Sequence, residues 1–169
     1  MSKIVFITGG QRSGKSRYAQ ALAEKWSQTP IYLATARYWD EDFKKRIERH
    51  RSDRGEHWKT IEEEKYIGSC SLTGQTVVMD CVTLWLTNIF HDHKFNIENA
   101  LKEAQEEWDK FINQHFNLVV ISNELGMGIH AENEVSRKFA DLQGWINQYI
   151  AERSDETYLM VSGIPVKIK

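Results

Sequence analysis

The chain has 169 residues, 41% of them hydrophobic and 27% charged, with ten glycines and two prolines. This size and balance predict one domain over residues 1–169 and exclude collagen-like or low-complexity architectures. A formal net charge of −2 supplies no basic field, so no nucleic-acid partner is expected and an anionic ligand must be held by a local cluster. Cys70 and Cys81 lack metal-type spacing and are expected as buried thiols in a reducing cytoplasm. No apolar run approaches the roughly 18 residues of a membrane span, and the first residues lack a signal-peptide apolar region.

Short apolar runs at Ile4–Ile7, Ile31–Ala34, Val77–Met79, Leu118–Ile121 and Tyr158–Val161 predict buried strands. Helical spacing predicts helices over Ser16–Trp26, Asp40–Arg51, Thr83–Phe90, Ile97–Gln114 and Glu132–Arg153. Their alternation predicts an α/β fold with a mostly parallel sheet, because parallel neighbours need crossovers that helices supply. Val166–Lys169 is expected to return antiparallel to Tyr158–Val161 across Gly163-Ile164-Pro165 as an edge hairpin. The polar stretch Ser52–Ser71 has no clear period.

Gly9-Gly10-Gln11-Arg12-Ser13-Gly14-Lys15-Ser16 is a complete G-x-x-x-x-G-K-S phosphate-binding loop, set between a strand and a helix as its mechanics require. The glycines let backbone N–H groups curl around phosphate oxygens, Lys15 reaches the β- and γ-phosphates, and the Ser16 hydroxyl suits Mg²⁺. Such a loop needs a carboxylate at a neighbouring strand end, and Asp80 is the candidate; capping of the next helix is the alternative role. Asn123 and Glu124 end another apolar run and are expected either in the same crevice or as a helix cap. In Asp40–Arg51, Phe43, Ile47 and His50 share a helical face, with Arg46, Arg49 and Arg51 around the imidazole. Guanidinium groups there favour an incoming anion and an unprotonated ring, whereas a histidine alone would read as a packing residue.

These blocks, together with Arg46-Ile47-Glu48-Arg49-His50-Arg51, His57-Trp58-Lys59-Thr60, Asp80-Cys81-Val82-Thr83, Asn123-Glu124-Leu125-Gly126-Met127-Gly128-Ile129 and Val161–Lys169, resemble the bifunctional adenosylcobinamide kinase/adenosylcobinamide-phosphate guanylyltransferase family from end to end. The resemblance implies a P-loop NTPase with a RecA-like sheet, working as a cytoplasmic homotrimer. It implies phosphorylation of the aminopropanol hydroxyl of adenosylcobinamide with ATP or GTP. GMP then passes from GTP through a guanylyl-histidine to adenosylcobinamide phosphate, giving adenosylcobinamide-GDP.

By the same matching, His50 is the nucleophile and Lys15 a catalytic cation. Gly9, Gly10, Gln11, Arg12, Ser13, Gly14, Lys15, Ser16, Thr35, Arg51, Ser52, Asp53, Arg54, Glu62 and Asp80 contact the nucleotide, and Ser16 and Asp80 serve its Mg²⁺. This chain has Arg49-His50 where relatives often carry two histidines, which leaves one candidate; Asp80 replaces a Glu seen in some members. A monofunctional P-loop kinase or a nucleotide switch would share the loop and Asp80 but give His50 no chemistry. Tyr38, Trp39, Trp58 and Trp85 offer apolar surface for a corrin ring or, more simply, core packing, and packing is also the expected role of His57.

Overall fold

The computed structural model describes residues 2–37 and 55–169. The elements run β1 (Ile4–Gly9), α1 (Lys15–Trp26), β2 (Ile31–Ala34), β3 (Lys59–Glu62), β4 (Thr76–Asp80), α2 (Val82–Asp92), α3 (Ile97–Ile112), β5 (Asn117–Ile121), α4 (Glu134–Arg153), β6 (Glu156–Val161) and β7 (Ile164–Lys167). The expected helix Asp40–Arg51, with His50, and Tyr38, Trp39 and Arg51–Arg54 lie outside the described residues.

The strands form one seven-stranded sheet in the order β3-β2-β4-β5-β1-β6-β7. All neighbouring pairs are parallel except β6 and β7. The strand carrying the phosphate loop is thus separated by β5 from the strand ending in Asp80, the RecA-like order. Because successive strand side chains point to opposite faces, the apolar runs of β1, β2, β4 and β5 each serve two cores. Phe6, Leu33, Val77, Met79, Leu118 and Val120 pack toward α2, α3 and α4. Val5, Ile7, Val78, Val119 and Ile121 pack with Ala19 and Ala23 of α1 on the other face. Small residues at i and i+4 on α1 let that helix lie close to the sheet.

Side-chain caps fix where two helices begin. The Asn96 side chain accepts from Asn99 N at 2.9 Å, and Asn133 accepts from Ser136 N at 2.7 Å. From these caps, Ala100, Ala104, Trp108 and Phe111 form the buried stripe of α3, and Leu142, Ile146 and Ile150 that of α4. Trp85 is also fully buried, its indole N–H donating to Lys65 O at 2.8 Å, and Trp58 donates to Glu24 at 3.0 Å. Both rings belong to the core, not to a ligand surface.

Three features depart from the sequence reading. β3 falls inside the polar stretch that showed no period; it is an edge strand of four residues with only its two middle residues half-buried, too short to show alternation. The C-terminal hairpin turns at Ser162-Gly163, with φ of 51° and 82°, so β7 begins at Ile164 and contains Pro165. A two-residue turn with both φ positive matches the strand twist, and an edge strand tolerates the missing proline N–H. Cys81 is buried as expected, but Cys70 is only half-buried.

The first residues are clamped to β6 by an ion pair of 2.6 Å between Lys3 and Glu156. The bond from Lys3, then that from the Tyr158 hydroxyl, lowers the Glu156 pKa to about 2. A depressed carboxylate stabilises the fold fully above its unfolded value, and that contribution is lost as pH falls toward the folded value. Acid unfolding of Glu156→Gln, followed by circular dichroism, is therefore expected to show a weaker fall in stability between about pH 4.5 and 2 than the parent.

Candidate active site

β1 delivers the chain to the phosphate loop through Gly9, whose φ is 150°. A Cβ there would lie 2.7 Å from Met160 O and 2.9 Å from Ser13 Oγ, so only glycine lets the loop seat against β6. At Gly14 the backbone is left-handed, φ 95°, and α1 starts at the next residue. The β6–β7 turn supports the loop from below, with Gly163 N donating to Ser13 O at 2.9 Å.

Lys15 is buried, and its ammonium donates to Gly9 O at 3.0 Å and Gly10 O at 2.6 Å. Burial lowers its pKa, opposed by the negative charge of Asp80. The ammonium is thus held by its own loop, where phosphate oxygens of a nucleotide could take over from neutral carbonyls. One residue on, the Ser16 hydroxyl donates to Asp80 Oδ2 at 3.0 Å, and the Tyr32 hydroxyl donates to the same oxygen at 2.9 Å. The cap of α2 is Cys81 with no side-chain bond, so Asp80 faces the crevice instead of closing a helix. A serine hydroxyl beside a carboxylate is a hard-oxygen pair of the kind that holds Mg²⁺ together with substrate phosphates. Among the described residues no cluster of three or more His, Cys, Asp or Glu side chains suits a metal held by protein alone.

Thr35 is fully buried beside Asp80. Its hydroxyl donates to Cys81 O at 2.8 Å and accepts from Cys81 N at 2.9 Å, so it stitches the end of β2 to the end of β4. Burial pushes the Cys81 thiol up to about 12, which leaves it protonated and without nucleophilic character at neutral pH. Glu62 ends β3 in register with Ala34, which pairs with Asp80 on its other side; two strand spacings put it about 10 Å from Asp80. Gln11 and Arg12 are exposed at the tip of the loop. His57 is half-exposed with Nε2 3.3 Å from Glu24, a surface pairing and not the expected packing.

Asn123 and Glu124 line the crevice and cap no helix, since α4 begins at Glu134 behind Asn133. Glu124 N donates to Gly9 O at 3.0 Å, and Asn123 N donates to Thr83 Oγ1 at 3.1 Å. Behind them lies a buried polar cluster absent from the sequence reading. Ser122 Oγ donates to Asn147 Oδ1 at 2.6 Å, Gln143 Nε2 donates to Ser122 Oγ at 2.7 Å, and Asn147 Nδ2 donates to Asn123 O at 3.2 Å. Polar Gln143 and Asn147, four apart on an otherwise apolar helix face, were the available signal. A second cluster pins the chain where it leaves β2. The Arg37 guanidinium forks onto Asp92 at 2.8 and 3.2 Å and reaches Glu64 at 2.9 Å, while Lys65 bridges Asp92 and Glu103. The Arg37 bond holds the Asp92 carboxyl well below the usual carboxylate range.

Gly14→Ala is expected to weaken nucleotide binding, because a Cβ at that left-handed residue would sit 3.1 Å from Gly163 Cα. Strain of about 1–2 kcal/mol raises the Kd roughly tenfold, measurable by calorimetric titration with a non-hydrolysable nucleotide.

A family model described as cobinamide kinase / cobinamide phosphate guanyltransferase matches residues 5–168. The bifunctional adenosylcobalamin biosynthesis protein CobU of Escherichia coli K12 is 36% identical over 187 aligned positions, covering 98% of this chain and 99% of the relative. CobP of Pseudomonas aeruginosa, of the same description, is 34% identical over 168 positions, covering 96% and 95%. CobU of Salmonella typhimurium is 33% identical over 187 positions, covering 98% and 99%. A match of this extent, on a sheet that brings the loop of Gly9–Ser16 against Asp80, has one reading: the chain belongs to the cobinamide kinase / cobinamide phosphate guanyltransferase family.

Proposed function

We propose that this chain carries out both family reactions at the crevice of Lys15, Ser16 and Asp80, with His50 as the covalent carrier of GMP. The observation that carries the reading is the 3.0 Å contact of Ser16 Oγ with Asp80 Oδ2 in a chain matched to the family over residues 5–168. In the kinase step the aminopropanol hydroxyl of adenosylcobinamide attacks the γ-phosphorus of ATP or GTP. The bond to the bridging oxygen breaks, the nucleoside diphosphate leaves, and the hydroxyl proton is released to solvent. Backbone N–H groups of Gly9–Ser16 hold the phosphates, and the Lys15 ammonium stabilises charge on the β- and γ-oxygens. Ser16 and Asp80 would hold Mg²⁺, which supplies charge neutralisation on the triphosphate.

In the transferase step the unprotonated His50 nitrogen attacks the α-phosphorus of GTP and pyrophosphate leaves. The phosphate of adenosylcobinamide phosphate then displaces His50, giving adenosylcobinamide-GDP and the free imidazole. Splitting the transfer keeps two polyanions from meeting in one step. The support for His50 is the sequence match of its arginine-rich segment. That segment also carries Arg51, Ser52, Asp53 and Arg54, which we assign to the nucleotide with Thr35, Glu62 and the loop; Thr35 acts through Cys81 and Asp80. The same reading makes the enzyme a cytoplasmic homotrimer. Self-association is supported by exposed apolar side chains along the β6–β7 edge, among them Ile164 at 65% and Ile168 at 62% exposure.

Incubation with α-labelled GTP tests the covalent step. The parent is expected to retain label after denaturation, acid-labile and alkali-stable as for a phosphoramidate. His50→Asn should retain none while keeping at least part of its kinase activity, since hydroxyl attack needs positioning but no protein nucleophile. Trapping by His50→Asn but not by His57→Ala would move the nucleophile to His57. Lys15→Ala should lower both activities by about 10²–10³-fold, the scale for removing one preorganised charge contact.

A further inference from the structure

A second cavity opens beside the phosphate site. It has a volume of about 930 Å³ and lies between the end of α2, the first turns of α4 and the loop after β5. That volume is near the upper end of the roughly 300–1,000 Å³ of ligand sites. One wall is aromatic: Phe90 stands edge-on to Phe95 at 5.4 Å between ring centroids and tilted to Phe139 at 5.8 Å. Leu125, Ile129 and Val135 complete an apolar lining that is 41%, 99% and 41% exposed. Apolar surface of this extent in a concave site implies an occupant.

The cavity's chemistry selects against a second nucleotide. Arg137 is the one Lys or Arg side chain among its described lining residues, and its Nη1 is already turned back onto Ala131 O at 3.0 Å and Glu132 O at 2.6 Å, so the lining has little of the cationic character of a phosphate site. His91, His130 and Asp141 add polar groups of both kinds around the apolar walls. This pattern fits a broad, flat, amphipathic molecule with amides on its periphery. Its location decides which one. Leu125 lines the cavity and directly follows Glu124, whose N–H lies on Gly9 O beside the Lys15 ammonium. Thr87 lines it one helical turn from Thr83, which receives the Asn123 N–H. The cavity therefore adjoins the phosphate crevice through Asn123 and Glu124.

We propose that this cavity is the corrinoid site, with the macrocycle against the Phe90–Phe139 wall and the aminopropanol arm directed past Glu124 to the nucleotide. The proposal rests on the family reading of the chemistry given above.

The test uses the full chain with a residue in the cavity wall and outside the phosphate site. Ala140→Trp fills the space, and Ala140→Ser is its control. Three quantities are measured: cobinamide affinity by calorimetry, the KM for cobinamide in the kinase reaction, and retention of α-labelled GTP without corrinoid. Ala140→Trp is expected to raise both cobinamide constants about tenfold or more, while label retention stays within about twofold of the parent. Val135→Glu, at the exposed mouth, is expected to do the same and carries the test if the tryptophan variant does not fold. Unchanged cobinamide constants in folded variants overturn the site. A change of molecular mass in solution without a change in those constants also overturns it, making the cavity a contact between copies. A parent that neither phosphorylates cobinamide nor retains label overturns the functional reading and this site with it, whereas a fully active parent with insensitive variants overturns the site alone.

Discussion

The active crevice is organised around one carbonyl oxygen. Gly9 O receives the Lys15 ammonium at 3.0 Å and the Glu124 N–H at 3.0 Å, so the phosphate loop and the end of β5 are fixed to the same atom. The constraint is steric as well as polar, because β6 approaches so closely that a side chain at Gly9 would meet Met160 O. A shift of β1 against either neighbour would move the ammonium and the strand-end residues relative to each other. Positioning of this kind, anchored on one backbone atom, suits chemistry in which alignment and charge stabilisation supply most of the rate.

From that atom the order extends outward through two polar clusters of different character. The Ser122–Gln143–Asn147 group is buried and uncharged, and it ties the Asn123 carbonyl to the middle of α4. The group around Arg37 lies nearer the surface and is charged, joining the end of β2 to α2 and α3. A buried neutral cluster resists salt, while the exposed charged one is screened by it. The two sides of the crevice are therefore held by interactions with different dependence on solution conditions.

Much of this was legible in the sequence, and the parts that were not share a cause. Five strands and the helices flanking them could be read because apolar runs and helical stripes are local patterns. The phosphate loop was legible because its glycines, lysine and serine are fixed in spacing. Asp80 was ambiguous between cap and crevice, and only the placement of β4 two strands from β1 brings its oxygen to Ser16. The edge strand Lys59–Glu62 was hidden because only its two middle residues are half-buried, too few to show alternation. Asp92, which Arg37 binds, and Gln143 and Asn147, which Ser122 binds, lie on helices tens of residues away, and composition along the chain does not encode such pairings. Thr35 shows the limit from the other side: the resemblance implies a nucleotide contact, while its hydroxyl is bound on both sides to the Cys81 backbone.

The contact between Gly163 N and Ser13 O has a consequence for the order in which the enzyme is assembled. The phosphate loop leaves the ribosome about 150 residues ahead of the turn on which it rests, as the numbers of the two bonded residues show. Nascent chains hold the whole recognition motif but lack its floor and the β6 strand beside Gly9. Contacts of such long sequence separation form late and slowly. A chain that carries the intact motif but not yet Gly163 therefore lacks the backbone donor on which the loop rests.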